Sequence, residues 1–454
     1  MCVEYYGYTG LVASILRDLG LEPGDIIRVR RPDGLVVEGM LLPRYGDSRE
    51  PIVVLKLRNG YNVGVRLTGS EVVEKVGSIT RGEPGAPVPL VDEVEVGGSK
   101  VFILGCGGTV ASRIDYETGA VKPYLSPEEL SLSVPEMFRY ASVEAEQLFA
   151  ILSEDMKPWM WGVIVEELSK VIRSGYDGVV VTHGTDTMGY TAAALSFAFH
   201  KGLPVPIAMT GSQRSSDRPS SDAAFNLTAA TLVASRAPFA EVTVVMHGES
   251  SDSYALAHRG VRVRKMHTSR RDAFQSINAR PLARVWPYEG RIEVLDGNFR
   301  VRGSQELVVE NGFDEKVAFI KHYPGPVAEL IDMLVDKGFH GIVVEGTGFG
   351  HVSSDAIESI RRAVESGIPV VVASQTLFGR VNLNVYSTGR RMLEAGVIPV
   401  EDMLPEVAYV KLSWVLARTR DLGEVRRLMQ ANLAGEISLR HDLNLYPGWS
   451  YDQP

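Results

Sequence analysis

Cysteine is scarce in this chain, and long apolar runs are absent. Only Cys2 and Cys106 occur among the 454 residues, too few for a disulfide framework, so the cysteine count favours a reducing compartment. No apolar stretch reaches the roughly 20 residues that span a bilayer. The first ten residues, MCVEYYGYTG, lack the basic region that begins a secretory signal. These absences together predict a cytoplasmic protein.

A surplus of positive charge is missing as well. The chain has 47 Lys and Arg against 56 Asp and Glu, which gives a net charge of -9. This balance argues against a protein that grips nucleic acid over its whole surface, but it allows a local basic patch or a partner that does the binding. The histidines show no spacing typical of metal ligands, so no metal site is expected.

The first 77 residues have the pattern of short strands. The runs DIIRVRR, LVVEGMLLPR, IVVLKLR and YNVGVRL are separated by turn residues, and Asn59-Gly60 between the last two is a strong hairpin signal. We therefore expect a small antiparallel β-barrel of SH3-like type. Two roles remain open for it: a packing or docking module, or a module that touches RNA through Arg28, Arg30 and Arg31.

Beyond Lys100 the pattern changes to alternating buried strands and helices. The strand candidates are VFIL (101–104), GVVV (178–181), VPIAM (205–209), VTVVM (242–246), VAFI (317–320), GIVV (341–344) and PVVVA (369–373). Helical patterns at 161–175 and 354–367 predict an α/β fold with mainly parallel sheets covered on both faces. The expected domains are a barrel at 1–77, a linker at 78–99, an active-site subdomain at 100–295, a second subdomain at 296–440 and a tail at 441–454.

Polar and small residues gather just after the predicted strands, where open α/β sheets place their sites. GCGGTVAS (105–112) follows the predicted strand VFIL, and THGTDTM (182–188) follows the predicted strand GVVV. Gly105 and Gly107 begin like a dinucleotide-binding loop, but Val110 occupies the position of the third glycine, and no lysine-tipped phosphate loop occurs. A nucleotide site in this loop is therefore disfavoured.

Thr109 is instead a candidate nucleophile, which needs a nearby base because a free hydroxyl is weakly nucleophilic. Thr185 and Asp186 follow the neighbouring strand, and Lys265 is a candidate general base if burial depresses its pKa. Such a hydroxyl–lysine relay has the logic of a Ser-His-Asp triad. Spacing alone leaves the question open, because helix N-capping also explains Thr185.

Five segments in the expected order resemble the asparaginase/glutaminase family of bacterial and archaeal type, over roughly 100–437. GCGGTVAS resembles the family's first signature and THGTDTM its second. DYETGAV (115–121) is similar to the family's mobile loop, SEDM (153–156) to its segment that holds the amino-acid end of the substrate, and Lys265 lies where the family has its lysine. The run MTGSQRSSDRPSSDAAFNL also has the family's pattern.

The resemblance implies an amidohydrolase that needs no cofactor in this chain. Its nucleophile would be Thr109, and Thr185, Asp186 and Lys265 would be the other catalytic residues of the core. Tyr116 on the mobile loop would join the proton transfer.

The resemblance also implies how the substrate is held. Ser153, Glu154 and Asp186 would bind the charged end of glutamine or asparagine. Backbone N–H groups at Gly108 and Gly184 would bind the oxyanion. Tyr124 remains an alternative to Tyr116 on the mobile loop.

A barrel followed by an asparaginase-like part, with SEDM rather than SQDM, resembles the GatD chains of the archaeal glutamyl-tRNA(Gln) amidotransferases. In that family the GatD chain releases ammonia from glutamine or asparagine, while a GatE-like kinase subunit binds Glu-tRNA(Gln) and activates it with ATP and Mg2+. The resemblance implies a homodimeric core within a heterotetramer that serves protein biosynthesis. A stand-alone L-asparaginase with an added barrel and a non-catalytic protein on the same fold remain as alternatives.

One departure from the family concerns the proton relay. Stand-alone members bring an acidic residue from a neighbouring subunit to the catalytic tyrosine, whereas FGRVNLNVYSTGRR (378–391) offers Asn382, Asn384 and Tyr386. The sequence therefore suggests a site that is completed only when a partner and tRNA are bound.

Overall fold

A small antiparallel sheet precedes two α/β units in this chain. The computed structural model describes residues 5–44, 50–57, 62–78, 98–108, 112–114, 121–123, 134–214, 220–440 and 442–446. The predicted nucleophile Thr109 and both candidate tyrosines, Tyr116 and Tyr124, lie outside these ranges, as do nearly all of the predicted linker and most of the predicted tail.

The helices and strands of the described ranges have the following bounds. The helices are α1 (Gly10–Asp18), α2 (Pro158–Arg173), α3 (Met188–Ala198), α4 (Ala223–Arg236), α5 (Val327–Asp336), α6 (Ala356–Glu365), α7 (Ser387–Glu394), α8 (Pro405–Leu416) and α9 (Leu422–Gln430). The first strands are β1 (Asp25–Arg30), β2 (Val36–Leu41), β3 (Ile52–Lys56), β4 (Asn62–Arg66), β5 (Val72–Ser78), β6 (Lys100–Cys106), β7 (Ser112–Ile114), β8 (Val121–Pro123), β9 (Ser142–Phe149), β10 (Gly178–Thr182) and β11 (Ile207–Thr210). The later strands are β12 (Val242–His247), β13 (Ala255–Arg259), β14 (Val263–Lys265), β15 (Phe274–Ser276), β16 (Ala283–Trp286), β17 (Arg291–Val294), β18 (Val317–Lys321), β19 (Gly341–Gly346), β20 (Val370–Ser374) and β21 (Ile398–Pro399). Short 3-10 helices span Pro135–Arg139, Ser153–Asp155 and Leu443–Leu445.

The N-terminal sheet is antiparallel and has the order β4-β3-β2-β1-β5. Its β3–β4 pair is the hairpin predicted around Asn59-Gly60. Helix α1, which the sequence analysis did not anticipate, buries Val12, Ala13 and Leu16 in the core of this sheet. A nine-residue helix is marginal by itself, so this packing rather than local propensity stabilises it.

Acidic neighbours neutralise two of the three arginines that form the local basic cluster. Arg28 lies opposite Glu38 on β2 and Glu74 on β5, and it makes ion pairs with them at 2.6 and 3.0 Å. Arg31 pairs with Asp33 at 3.0 Å. This pairing favours the packing or docking role over RNA contact through these arginines, since little net positive charge remains on the face.

The first α/β unit is built on an eight-stranded sheet in the order β17-β16-β13-β12-β11-β10-β6-β9. Strands β9, β6, β10, β11 and β12 are parallel neighbours, whereas β12, β13, β16 and β17 pair antiparallel. Four of its seven strand pairs are parallel, so the sheet is mainly parallel, as predicted, with antiparallel strands at one edge. The antiparallel strands are short and carry polar residues, so no apolar run marks β13, and β16 and β17 form a hairpin.

The second α/β unit has a parallel sheet in the order β18-β19-β20-β21. Helices cover both sheets, as the alternation of the sequence predicts. In the first unit α4 packs on one face, and α2 and α3 pack on the other. Helices α3 and α8 share a buried cluster with the second sheet, so the two units have a continuous core.

Candidate active site

The carboxyl ends of β6, β10 and β11 meet at one edge of the eight-stranded sheet. These strands are parallel neighbours, with Leu104 beside Val181 and Thr182 beside Thr210. The loops that follow them therefore leave the sheet side by side. Parallel pairing is the reason that motifs distant in sequence become adjacent in space.

Glycines let three backbone segments approach closely at this edge. Gly107 and Gly108 have φ angles of 96° and 81°, in the left-handed region that strains L side chains. A Cβ atom on Gly108 would lie 2.5 Å from the backbone N of Gly184, and one on Gly184 would lie 2.6 Å from Cβ of Ser153. Gly108 is thus packed against the second motif, residues 182–188, and that motif against the Ser153–Asp155 turn, while Gly107 packs against the backbone of Ile151.

Lys265 joins the second motif to the hairpin of β14 and β15. Its Nζ donates to Thr185 Oγ1 at 2.9 Å and to Asp186 Oδ1 at 2.8 Å. Thr185 is 8% exposed, whereas the Lys265 and Asp186 side chains are 15% and 67% exposed. Because Thr185 Oγ1 accepts from the lysine, its own proton remains available to another acceptor. The cluster combines an enclosed hydroxyl–ammonium contact with a carboxylate that faces solvent.

Buried ion pairs hold the strand that presents Lys265. Arg262 pairs with Asp402 at 3.0 Å, and both side chains are almost fully buried. Arg264 pairs with Glu406 at 2.9 Å, and burial raises the pKa of the Glu406 carboxyl. Both carboxylates belong to the second α/β unit, so the position of Lys265 depends on contacts between the two units.

A buried histidine supports the second motif from behind. Burial lowers the pKa of His183 to about 4, so its ring is neutral at pH 7. Its Nδ1 lies 2.8 Å from Gly184 O, which can only accept, so this nitrogen carries the proton. Nε2 therefore accepts from the Thr191 hydroxyl at 2.9 Å, and that hydroxyl accepts from Trp161 Nε1 at 3.2 Å. This chain of hydrogen bonds fixes the orientation of the peptide that joins Gly184 to Thr185.

Two backbone N–H groups of the second motif have no acceptor among the described residues. The N–H groups of Gly184 and Thr185 donate no hydrogen bond in the part of the chain that the structure describes. The carbonyl of the Gly184–Thr185 peptide faces His183, and a trans peptide directs its N–H to the opposite side. Unpaired backbone donors at the edge of a sheet have the chemistry of an oxyanion site.

The structure brings most of the described candidate residues together. Ser153 is 5% exposed and Glu154 is exposed, and both lie in the turn that contacts Gly184. Thr187 Oγ1 donates to Ser153 O at 2.7 Å, which ties this turn to the second motif. Gly108, Gly184, Ser153, Glu154, Thr185, Asp186 and Lys265 therefore belong to one region, while Thr109 and Tyr116 fall outside the described residues.

The segment that departs from the family lies in the second α/β unit, just before α7. The backbone N of Asn382 donates to Phe349 O at 3.0 Å, and the exposed ring of Tyr386 lies 5.4 Å from the ring of His351. Between this segment and the Thr185–Lys265 cluster, the described residues of the chain form no hydrogen bond or ion pair. Asn382, Asn384 and Tyr386 are thus not part of the cluster within a single chain.

Several supporting residues were not anticipated from the sequence. Thr187 had a local signal, since it lies in the same motif as Thr185. Arg262 and Asp402 had none, because 140 positions separate them and only the packing of the two units joins them. Within the described ranges no group of three or more His, Cys, Asp or Glu side chains is arranged to hold a metal ion. None of the helices described is long and apolar enough to cross a bilayer.

The fold and this cluster define an asparaginase-type α/β protein. Residues 100–298 match the family described as "Asparaginase, N-terminal", and residues 316–429 match the "Glutaminase/Asparaginase C-terminal domain". The structure is similar to the thermostable L-asparaginase from Thermococcus kodakarensis, with a TM-score of 0.66 and 34% identity over 75% of this chain and 99% of that one. It is also similar to L-asparaginase I from Vibrio cholerae, with a TM-score of 0.65 and 31% identity over 75% of this chain and 100% of that one.

The N-terminal sheet identifies a subgroup of this class of proteins. Residues 21–76, which include this sheet up to β5, match the "GatD N-terminal domain". The GatD chain of the glutamyl-tRNA(Gln) amidotransferase from Aeropyrum pernix is 64% identical over 422 residues, which cover 92% of this chain and 99% of that protein. The corresponding GatD chain from Pyrococcus furiosus is 54% identical over 432 residues, with 94% and 97% covered. The chain belongs to the GatD family of glutamyl-tRNA(Gln) amidotransferase subunits.

Proposed function

We propose that this chain is the ammonia-producing subunit of an amidotransferase that converts Glu-tRNA(Gln) to Gln-tRNA(Gln). The observation that carries the proposal is the contact of Lys265 with both Thr185 and Asp186, beside the glycine turn that leads to Thr109. Membership of the GatD family supports the link to tRNA. The amide donor in this proposal is glutamine or asparagine.

In the first half of the reaction, Thr109 attacks the side-chain amide carbon of the donor. The proton of the threonine passes through Tyr116 to the amide nitrogen, and the N–H groups of Gly184 and Thr185 stabilise the oxyanion. The N–H of Gly108, expected from the sequence to join them, instead donates to Ile151 O at 3.3 Å. The C–N bond then breaks, which releases ammonia and leaves an ester on Thr109. The N–H groups of Gly184 and Thr185, which have no acceptor among the described residues, support this assignment.

In the second half, water attacks the ester carbon. Its proton passes to the group formed by Thr185, Lys265 and Asp186, and from there to the departing oxygen of Thr109. The ester C–O bond breaks, and glutamate or aspartate leaves. The hydrogen bond from Lys265 to Thr185 supports such a relay, because it leaves the threonine proton free to move.

The charged end of the donor would be held at the turn beside the second motif. Asp186 and Glu154 carry the negative charge that an α-ammonium group requires, and Ser153 offers a hydroxyl to the α-carboxylate. Asp186 is held by Lys265 and is still largely exposed, as a substrate ligand must be. Fixing both charges positions the amide relative to Thr109.

The proposal includes a partner and a division of labour. A GatE-like kinase subunit would bind Glu-tRNA(Gln), hold ATP and Mg2+, activate the glutamate and receive the ammonia. Two copies of this chain would form the core of a cytoplasmic heterotetramer. The proposed domains are those expected from the sequence: the barrel at 1–77, the linker at 78–99, the subdomains at 100–295 and 296–440, and the tail at 441–454.

The segment 378–391 lacks the acidic residue that stand-alone family members bring to the catalytic tyrosine, and the proposal therefore includes regulation of the glutaminase step. With Asn382, Asn384 and Tyr386 in that segment, the proton relay of Tyr116 would be completed only when the partner and tRNA are bound. We therefore expect weak glutaminase turnover from the isolated chain and a strong increase with both ligands present. Undiminished turnover of the isolated chain would contradict this aspect of the proposal.

The test is a comparison of two nitrogen sources in the assembled enzyme. Thr109→Ala should abolish formation of Gln-tRNA(Gln) from glutamine and leave its formation from ammonium salts intact. Thr68→Ala, at an exposed threonine in the loop between β4 and β5, is the matched control and should support both reactions. If Thr109→Ala impairs both nitrogen sources equally, Thr109 is structural and the mechanism is wrong.

A second candidate function is a stand-alone L-asparaginase with an added N-terminal barrel. The similarity to solved L-asparaginases over 75% of the chain favours it. The same experiment separates the two functions. A stand-alone asparaginase would turn over asparagine at full rate without a partner, and neither a kinase subunit nor Glu-tRNA(Gln) would change that rate.

A further inference from the structure

A basic cleft lies on the first α/β unit, outside the group of residues that Lys265 holds together. Its volume is about 440 Å3, and it is open to solvent on one side. The described residues that line it are Arg214, Ser220, Ser250, Ser269, Arg270 and Arg271. Every one of these side chains is a hydrogen-bond donor, and none of them is acidic.

Two of the arginines that line the cleft are paired with carboxylates. Asp252 binds Arg271 at 3.0 Å, and Asp272 receives two hydrogen bonds from Arg270 at 2.8 and 2.7 Å. These two pairs cancel charge. The Nη1 group of Arg270 takes no part in its pair with Asp272, whereas Arg271 also donates to the backbone of the cleft. Arg214 forms no ion pair with any residue that the structure describes. The lining therefore carries about one uncompensated positive charge and an excess of donors.

The arginines are held in place before any ligand binds. Ser269 N and Arg270 N both donate to Nδ1 of His267 at 3.0 Å, which shapes the loop between β14 and β15. Arg271 also donates to Ser220 O at 2.7 Å. Such preorganisation lowers the entropy that a ligand must overcome on binding.

The backbone at Arg214 is fixed in a similar way. Asp222 is fully buried, and its carboxylate accepts from Gln213 N and Arg214 N, both at 2.9 Å. Asp222 also receives the side-chain amide of Asn226 at 3.0 Å. The backbone that carries Arg214 is therefore anchored in the core, while its side chain remains exposed.

Two continuous pieces of chain connect the cleft to the candidate active site. Arg270 and Arg271 lie in the loop of the hairpin whose first strand ends at Lys265, within about 20 Å of chain. Gly211, three residues before Arg214, packs on the second motif so closely that a Cβ there would lie 2.9 Å from Thr185 Cγ2. Both sides of the cleft thus continue into residues that position Thr185 and Lys265.

We propose that this basic cleft binds a phosphate group and that its occupancy steadies the β14–β15 hairpin that presents Lys265. A carboxylate accepts about four hydrogen bonds, fewer than the guanidinium of Arg214, Nη1 of Arg270 and the three serine hydroxyls of the lining can donate. A tetrahedral phosphate offers more acceptor positions and suits the bidentate geometry of arginine. Free orthophosphate and a phosphate of a nucleic-acid backbone share this chemistry, and the open side of the cleft admits either.

The first experiment measures binding to the full chain by calorimetry at constant ionic strength. Its probes are inorganic phosphate and a 5′-phosphorylated RNA hairpin. Arg214→Gln and Arg270→Gln should each weaken binding of at least one probe by about tenfold, the loss expected for a charge-assisted hydrogen bond. Arg291→Gln is the matched control, since Arg291 is exposed, pairs with Glu289 and lies outside the cleft.

The two probes identify the source of the phosphate. Binding of inorganic phosphate that depends on Arg214 assigns the cleft to a free anion, whereas RNA binding alone with the same dependence assigns it to a nucleic-acid backbone. Failure of both probes to bind, or binding that ignores Arg214 and Arg270, overturns the proposal. A change in oligomeric state with Arg214→Gln and no change in phosphate binding would also overturn it, because the cleft would then be a protein interface.

The second experiment tests the effect on the hairpin. The probe that binds should slow hydrogen exchange in 263–276 and lower the KM for the amide donor in the native chain. Neither effect should occur in Arg214→Gln, which leaves the anchored arginine Arg271 untouched. Binding without any change in exchange or KM would contradict the coupling to Lys265. Because this readout does not require ammonia transfer, its failure is distinct from failure of the proposed function.

Discussion

The N-terminal sheet and the α/β units differ in where they keep their ionisable groups. In the N-terminal sheet Arg28 makes its ion pairs across neighbouring strands at the surface, and the first 99 residues contain no histidine. The α/β units bury the Lys411–Glu436 pair completely and enclose His183 and His258. Only a large core supplies enough apolar burial to offset such desolvation, and the candidate active site is in that larger part.

One buried ionisable group of the N-terminal sheet lies where the two parts meet. Lys56 on β3 pairs with Glu136 of the first α/β unit at 3.3 Å, and their side chains are 3% and 11% exposed. Burial lowers the pKa of the Lys56 ammonium, because the neutral form is easier to desolvate. The sheet is thus an appended module whose deeply buried Lys56 faces the catalytic part, consistent with a docking role.

The largest expected effect is the loss of amide hydrolysis when Lys265 of the α/β part is substituted. Lys265→Met should reduce amide hydrolysis by about a thousandfold, since the relay and the anchor of Asp186 are both lost. Lys201→Met, an exposed lysine paired with Glu310, is the matched control and should retain activity. Steady-state kinetics with a circular dichroism spectrum of each variant would check this. Retention of more than about a tenth of the activity by Lys265→Met would rule out a central role for this lysine.

The next largest effect should come from the buried pair of the second unit. Lys411 Nζ lies 2.5 Å from Glu436 Oε1, and Lys411→Met leaves that carboxylate buried without a cation. We expect a loss of about 3–5 kcal/mol in the free energy of unfolding, measured by guanidinium denaturation. Adding Glu436→Gln should recover part of the loss, because the uncompensated charge is removed. Equal loss in the single and double variants would show that the charge is not the cause.

Breaking the boundary pair should have a somewhat smaller and more local effect. Lys56→Met leaves Glu136 without its partner and should weaken docking of the N-terminal sheet by about 3 kcal/mol, the lower end for a buried pair. Hydrogen exchange should rise in 52–56 and 134–140 but not in the core of the α/β units. Arg28→Gln, which breaks exposed pairs, is the control and should leave exchange at the boundary unchanged. Unchanged exchange in Lys56→Met would mean that other contacts carry the docking.

The smallest expected effect is a pH dependence confined to the α/β units. Burial lowers the pKa of His183 to about 4 and that of His258 to about 3, against about 6.5 in the unfolded chain. Between these values the unfolded state binds more protons, so the free energy of unfolding falls as the pH is lowered from about 6.5 toward 4. Each histidine should lower the free energy of unfolding by about 2 kcal/mol at pH 5.

His258→Gln should remove the part of the pH-dependent loss in the free energy of unfolding that comes from His258. The measurement is the difference in free energy of unfolding between pH 7 and pH 5 in the native chain and the variant, which cancels the carboxylates common to both. Peptides of the N-terminal sheet should show no histidine-dependent change in hydrogen exchange. An identical pH dependence in the variant and the native chain would contradict the assignment.

Much of the architecture was predictable because its signals are local. Runs such as GVVV at 178–181 and PVVVA at 369–373 are apolar and β-branched, and they form β10 and β20. The antiparallel half of the large sheet was not predictable in this way, since β13 mixes polar with apolar residues. Helix α1 was missed because its stability comes from the sheet beneath it rather than from its own nine residues.

The residues of the candidate site also divide into those with a local sequence signal and those without one. Thr185 and Asp186 were found because they follow a strand whose end must lie at the sheet edge. The resemblance to a known family supplied the roles of Ser153, Glu154 and Tyr116, which no local pattern indicates. The basic cleft was not found at all, because Arg214 and Arg271 come from separate loops whose approach no periodicity encodes.

By itself the sequence determined the α/β class, the N-terminal strands and the motifs that mark the edge of the sheet. These properties follow from apolar periodicity and turn chemistry within a few residues. Only the tertiary structure decided that Lys265 contacts Thr185 and Asp186, that Arg262 is locked to Asp402, and that Lys56 faces Glu136. Those pairs join residues between 79 and 140 positions apart in the chain. Their energies depend on burial and distance, which exist only once the layers have packed together.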